Sequence, residues 1–202
     1  MNGEGIDIYS HTVRVGKGSD RRRQLNSDRK RDYEKRGYTI EDGNHPNGAF
    51  FAYKGKQKED HEMEVGRVCA ENGLTLILEP EGNTFVRLPS GARIIVSSLD
   101  GTIEGVTQEI MALKSERPSG EKVLEGIEHS LKQTKQLPRS YDKQAQVAIT
   151  VAPIGSKFTK EHIDEGVRLY REKVMNGTEE AKPRFYIHVD LASRKIWYRA
   201  LA

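Results

Sequence analysis

Apolar residues three and four positions apart predict three amphipathic helices along the chain. A residue suited to ending a helix follows two of them: Gly73 and Gly177 are expected to adopt the left-handed conformation that stops a helix. Thr159 is the expected N-cap of the last helix. The predicted helices cover residues 58–73, 121–134 and 159–177.

Short apolar or alternating runs between these helices predict about seven strands. The last two runs, 184–190 and 195–200, are joined by a short polar turn. Strands and helices follow each other along the chain, with no internal repeat and no low-complexity tract. The pattern therefore indicates an α+β fold, with a mainly antiparallel sheet flanked by about three helices.

One tight turn is predicted at Asp100-Gly101, because Asp-Gly is among the strongest hairpin signals in a sequence. Residues 107–113 would then continue the return strand, with Gly105 as a possible bulge. The position of this turn sets the register of the hairpin, and the register decides which residues of the two strands face each other.

Charge divides the chain into two predicted parts. Residues 11–38 hold ten Lys or Arg against four Asp or Glu, although the whole chain of 202 residues has a net charge of only +3. We interpret residues 1–40 as a basic arm or linker and residues 41–202 as a single domain. Either the arm attracts a phosphate backbone, through Arg21, Arg22 and Arg23, or it is a solvated tail.

Composition narrows the classes of protein to consider. Charged residues make up 31% of the chain, and no apolar run approaches the roughly 18 residues that a membrane span needs. The N-terminal residues lack the apolar core of a secretion signal. The single cysteine, Cys69, cannot form an internal disulfide. We therefore expect a protein without a membrane span that acts in the reducing cytoplasm.

Asp100 and Glu109 resemble the start of a metal-dependent nuclease motif, in which two carboxylates hold Mg²⁺ and a lysine follows the second by two residues. Met111 occupies the lysine position. A hairpin tip at Asp100-Gly101 would also place the two carboxylates roughly 20 Å apart. A plain hairpin is therefore favoured here over a metal site, and no cofactor is expected.

The last two strands offer a second candidate. If Asp190 pairs with Lys195, then His188 faces Trp197 on one side of the sheet, while apolar residues occupy the other side. In the same register Tyr186 faces Arg199. This arrangement predicts either an exposed polar face with chemical capacity or an ordinary solvent-facing hairpin.

Such a set of side chains could cleave RNA without a metal. His188 would move protons, since imidazole titrates near neutral pH, and Arg199 would clamp the phosphate. Tyr186 and Trp197 would contact bases, with Lys195 nearby to bind the backbone.

Residues 48–82, GAFFAYKGKQKEDHEMEVGRVCAENGLTLILEPEG, together with LDGTIEGVTQEIMALK and the late strand pair, resemble the barnase/EndoU/colicin/RelE-like nucleases. These domains occur at the C-termini of contact-dependent growth-inhibition toxins and in phage and mobile-element proteins. The resemblance covers roughly residues 47–200 and departs at Met111. It implies a helix-flanked antiparallel sheet.

The resemblance also implies metal-free cleavage of RNA, plausibly tRNA, in the cytoplasm after delivery as part of a larger toxin. A cognate immunity protein would be a partner. Lys54 and Lys56 would bind nucleic acid, and Glu109 would join the catalytic set. Two alternatives remain open: a non-catalytic nucleic-acid-binding protein of a phage or mobile element, and a metal-dependent DNase that uses Asp100 and Glu109.

Overall fold

The structure is a computed structural model. It describes residues 6–7, 12–13, 19–55, 60–80, 84–87, 90–91, 93–96, 99–132, 145–179 and 184–201. Two short strands near the N-terminus, β1 (Ile6–Asp7) and β2 (Thr12–Val13), pair with each other in antiparallel orientation.

The remaining elements form one large sheet, a separate hairpin and four helices. In chain order they are α1 (Ser19–Lys35), β3 (Thr39–Asp42), β4 (Phe50–Tyr53), α2 (Asp60–Glu71), β5 (Leu76–Leu78), β6 (Thr84–Arg87), β7 (Arg93–Val96), β8 (Gly101–Ile103), β9 (Val106–Ala112), α3 (Gly120–Lys132), β10 (Val147–Ala152), α4 (Lys160–Met175), β11 (Phe185–Asp190) and β12 (Lys195–Ala200).

The large sheet has eight strands in the order β12-β11-β10-β9-β8-β5-β4-β3, and β6 pairs only with β7. Helix α2 connects the parallel strands β4 and β5, while α3 and α4 connect the parallel strands β9, β10 and β11. The other four neighbouring pairs are antiparallel. The α+β class is confirmed, although the sheet is more evenly mixed than a mainly antiparallel one.

Both faces of the sheet are covered by helices. On the face that we call the back face, α2 packs through Val65, Val68 and Cys69 against strand residues that include Ile149 and Ile187. The opposite, front face carries the strand residues in between, because successive side chains of a strand alternate in direction. There α3 and α4 bury Leu113, Ala148 and Tyr186, and α1 packs beside them over Phe50, Ala52 and Ile77 through Tyr33.

The three predicted helices are confirmed within a few residues at each end. Thr159 is the N-cap of α4, and both Gly73 and Gly177 have the positive φ expected of a helix stop. A fourth helix, α1, lies in the predicted basic arm. The apolar periodicity missed α1 because its residues are almost all polar.

Ionic and polar contacts attach α1 to the domain. Asn26 is only 1% exposed; its amide donates to the Asn47 carbonyl, and its carbonyl oxygen accepts from the Thr75 hydroxyl. One turn earlier, Arg22 pairs with Glu104 at 2.8 Å, and Arg29 approaches the same carboxylate from the next turn. The helix is therefore held by a stripe of polar residues rather than by an apolar one.

The predicted hairpin tip at Asp100-Gly101 is wrong. Strands β8 and β9 meet at Glu104-Gly105, where φ is 50° and 83°, the positive pair that a tight β-hairpin turn requires. Positive φ is unusual for glutamate, but the carboxylate of Glu104 accepts the backbone N–H of Thr75 at 2.6 Å and pairs with Arg22. These long-range contacts fix the turn, and short-range sequence signals cannot show them.

Within the described part of the chain, no helix combines the length and the apolar character needed to cross a membrane.

Candidate functional site

The corrected turn brings Asp100 and Glu109 together. Because Gly101 pairs with Gln108, Asp100 lies opposite Glu109 on the neighbouring strand. The Glu109 carboxylate accepts the backbone N–H of Asp100 at 3.2 Å, and the Asp100 carboxylate accepts the N–H of Ile110 at 2.7 Å. The expected separation of roughly 20 Å is therefore wrong, since it followed from the misplaced tip.

A third carboxylate continues this line across the sheet. Leu78 pairs with Gly101, and the backbone N–H of Glu79 donates to the Asp100 carbonyl at 2.9 Å. Glu79 is therefore the neighbour of Asp100 on the other side from Glu109. We call Glu79, Asp100 and Glu109 the carboxylate row. All three occupy front-face positions, because Leu78 belongs to the back-face core and side chains alternate.

Tyr38 and Lys54 extend the carboxylate row toward the edge of the sheet. The Tyr38 hydroxyl donates to the Glu79 carboxylate at 2.5 Å. Burial, followed by this hydrogen bond to Glu79, raises the pKa of Tyr38 to about 12, so the phenol stays protonated at neutral pH. Lys54 follows Tyr53, the partner of Leu78, and is thus next to Glu79 on the front face.

Met111 lies on the front face two residues beyond Glu109, where the nuclease motif would have lysine. Its side chain lines a cavity of about 270 Å³ between the end of β9 and helix α3. Lys114 and Lys122 line the same cavity, as does His129. Position 111 therefore has no cationic side chain of its own, but Lys114 and Lys122 line the cavity next to it.

The register predicted for the C-terminal hairpin is confirmed. Asp190 pairs with Lys195, His188 with Trp197 and Tyr186 with Arg199. His188 and Trp197 also stack, with ring centroids 5.4 Å apart and planes 13° apart. The alternation of residue types along both strands was sufficient to specify this pairing.

The prediction that this face is exposed is wrong. Tyr186 is 0% exposed and packs among residues of α3 and α4, and His188 is only 1% exposed, with the Trp197 ring stacked against it. The Thr150 hydroxyl lies 2.6 Å from the Tyr186 oxygen and 2.9 Å from Nδ1 of His188. Burial lowers the pKa of His188 to about 4, against a weaker opposing effect of Asp190. The imidazole is therefore neutral at physiological pH.

Arg199 is engaged by its own surroundings. Its guanidinium pairs with Asp164 of α4 at 2.9 Å and donates to the Tyr198 carbonyl. Lys195 is exposed at the start of β12. Arg199 thus helps to fix α4 against the sheet, whatever further role it has.

The candidate catalytic and binding residues Lys54, Glu109, His188 and Arg199 do not come together in one site. Lys54 and Glu109 are separated by three strand spacings, about 14 Å between backbones, and a further three spacings separate Glu109 from Arg199. His188 lies on β11, the strand that pairs with the strand of Arg199. The front face therefore carries two separate groups, the carboxylate row and the covered Thr150–Tyr186–His188 network.

The basic residues predicted to bind nucleic acid have different environments. Arg21 and Arg23 are exposed on α1, whereas Arg22 is half-buried and pairs with Glu104. Lys54 is exposed, and Lys56 lies outside the described residues. Two of the three arginines therefore face solvent, and the middle one contacts the rest of the domain.

Sequence reasoning missed Glu79 and Tyr38. Glu79 directly follows β5 and carries no motif of its own. Placing the hairpin tip at Glu104-Gly105 would have set Asp100 opposite Glu109, but Asp-Gly is the stronger local signal. Tyr38 reaches Glu79 only through the fold, and nothing in its local sequence indicates this contact.

Among the described residues, no group of three or more His, Cys, Asp or Glu side chains has the arrangement of a complete metal site. A cation at the carboxylate row would therefore need water or substrate oxygens as further ligands.

No protein family matches the chain, and no curated protein or solved structure matches it either. The resemblance to the barnase/EndoU/colicin/RelE-like nucleases stays a prediction.

Proposed function

We propose that this protein is a divalent-metal-dependent phosphodiesterase that cleaves nucleic acid, with Asp100 and Glu109 as the carboxylates that hold the metal. The observation that supports it is the direct opposition of these two residues on neighbouring strands. On sequence, the metal-dependent hypothesis ranked last for two reasons: Met111 replaces the expected lysine, and the misplaced turn separated the two carboxylates. With the turn corrected, its main geometric objection disappears.

The chemistry of the donor set fits a hard cation such as Mg²⁺. Carboxylate oxygens are its preferred protein ligands, and Mg²⁺ commonly uses one or two carboxylates together with water and phosphate oxygens. Asp100 and Glu109 as the only protein ligands would therefore suit a site that water and substrate oxygens complete. When bound, the metal would supply positive charge and a more acidic water.

The metal-free alternative fits this structure less well. His188 would have to reach a phosphate, yet it is almost fully buried. With its pKa lowered to about 4, it is also a weak base. Tyr186 packs among residues of α3 and α4, so these helices would have to move before it could contact RNA.

Nucleic acid is the proposed substrate because α1, which packs on the same face, is rich in arginine and presents Arg21 and Arg23 to solvent. Phosphodiester backbones are attracted to such cations. A tRNA target, a toxin role and an immunity partner rest on the sequence resemblance alone.

The test measures cleavage of labelled DNA and RNA with Mg²⁺, with Mn²⁺ and in EDTA. We expect cleavage that requires the metal and falls at least about a hundredfold in Asp100→Asn and in Glu109→Gln. His188→Asn and the exposed Glu116→Gln should cleave normally, and thermal unfolding should show that all four variants fold.

Cleavage that persists in EDTA and disappears only in His188→Asn would overturn this proposal in favour of a metal-free ribonuclease. Binding without cleavage under every condition would overturn it in favour of a non-catalytic nucleic-acid-binding protein.

A further inference from the structure

Two exposed cations lie beside the carboxylate row, at the C-terminal end of α1. The Arg36 guanidinium lies over the Tyr33 ring at 4.7 Å and over the Tyr38 ring at 5.3 Å. The Lys54 ammonium lies 5.6 Å from the centre of the same Tyr38 ring. Lys54 also donates to the backbone carbonyl of Arg36 at 2.8 Å. One buried ring thus positions two like charges near each other.

Both cations remain exposed although carboxylates lie nearby. Asp32 approaches Arg36 at 3.7 Å, but the pair is exposed and one turn apart on a helix, a geometry that contributes little. Glu79 accepts the Tyr38 hydroxyl. Half of the Arg36 side chain remains in contact with solvent, and Lys54 is exposed. A further anion can therefore approach both side chains.

Contacts run continuously from these cations to the proposed metal ligands. Tyr38 touches Arg36 and Lys54 through its ring and Glu79 through its hydroxyl, and Glu79 is bonded to Asp100. Lys54 and Asp100 are two strand spacings apart, about 10 Å between backbones. One strand of a duplex covers that distance in about three nucleotides, at roughly 3.4 Å for each.

We infer that Arg36 and Lys54 bind a backbone phosphate of the nucleic-acid strand that enters the carboxylate row. The inference rests on the proposed function, which makes the carboxylate row the place where the strand is cleaved. The inference itself concerns binding, which is measured separately from cleavage. Because the Tyr38 ring is buried against the two cations, it offers no free face for stacking a base. The site therefore recognises backbone rather than sequence, and it accepts DNA and RNA alike.

The test uses fluorescent oligo-dT and oligo-U in EDTA, where no metal-dependent cleavage occurs. The variant Arg36→Gln/Lys54→Gln removes both charges and keeps side chains that can donate hydrogen bonds. The matched control, Lys160→Gln/Arg168→Gln, removes two exposed charges from α4. Dissociation constants are measured over a range of salt concentrations.

We expect the Arg36/Lys54 variant to bind both oligonucleotides roughly threefold to tenfold more weakly, with a log–log salt slope that is shallower by about 0.7 for each phosphate no longer bound. The control should bind as the unmodified protein does. Equal affinities and slopes in the two double variants would overturn the inference. That result leaves the cleavage test on Asp100 and Glu109 untouched, and a failure of the cleavage test leaves this binding result standing.

Discussion

The side chain of Glu109 accepts a hydrogen bond from the backbone N–H of Asp100 across two neighbouring strands. The Asp100 carboxylate in turn accepts the N–H that follows Glu109. These bonds orient both carboxylates from the backbone of the β8–β9 hairpin. The proposed metal site would therefore depend on this hairpin for its geometry.

Met111→Lys should raise metal-dependent cleavage. The new ammonium would lie two residues from Glu109 on the same face, where it can stabilise charge that develops on the phosphate or the attacking water. We expect a gain of about tenfold or more in kcat/KM. Met111→Gln has similar length without the charge and serves as the control. Equal rates for the two variants would show that a cation at this position does not contribute.

Acid should destabilise the protein through His188. Burial lowers the pKa of His188 from 6.5 to about 4. Between these two pH values the unfolded chain therefore binds a proton at His188 and the folded protein does not. Above pH 6.5 both states are neutral and His188 has no effect; as the pH falls toward 4, stability decreases by up to about 1.4 kcal/mol per pH unit. Denaturant unfolding of the protein and of His188→Asn should therefore give curves that diverge below pH 6.5. Parallel curves would contradict the buried, neutral imidazole.

Glu104→Gln should loosen α1. The amide can still accept the Thr75 N–H, but it no longer balances Arg22 and Arg29. We expect a loss of about 1.5–3 kcal/mol, since a partly buried charged contact is removed. Hydrogen exchange should become faster in α1, and trypsin should cut sooner after its arginines. Glu116→Gln, an exposed residue in a loop, should change neither measurement.

Gln108→Met should stabilise the protein. Gln108 is fully buried, and among the described residues neither its amide nitrogen nor its oxygen has a hydrogen-bond partner. Burying an amide without partners is unfavourable, and methionine has a similar shape without the polar atoms. We expect a gain of about 1–2 kcal/mol in the free energy of unfolding. A lower stability in thermal and denaturant unfolding would indicate that the amide has a role in the folded protein.

The sequence predicted the helices and the pairing of the last two strands better than it predicted the burial of each face of the sheet. Alternation along β11 and β12 gave the pairing of His188 with Trp197. Alternation shows which residues share a face, but it does not show what covers that face. Here both faces carry helices, so a tyrosine and a histidine lie in the interior.

The misplaced hairpin tip and the docking of α1, which the sequence did not specify, have the same origin. Glu104-Gly105 became the hairpin tip because Thr75 and Arg22 hold the glutamate, and both are distant in sequence. Helix α1 escaped the apolar pattern because it docks through Arg22, Asn26 and Arg29. Long-range polar contacts determine both features, and such contacts leave no apolar periodicity in the sequence.

The docking of α1 limits how far the protein can be truncated from its N-terminus. A version that starts at residue 41, where composition changes, would remove α1 and the first half of β3 together. The Glu104 carboxylate would lose its arginine counterions, and Phe50 would lose the cover of Tyr33 and Tyr38. Such a fragment would expose an aromatic surface beside a strand edge, a combination that favours aggregation, so expression trials should begin upstream of residue 19.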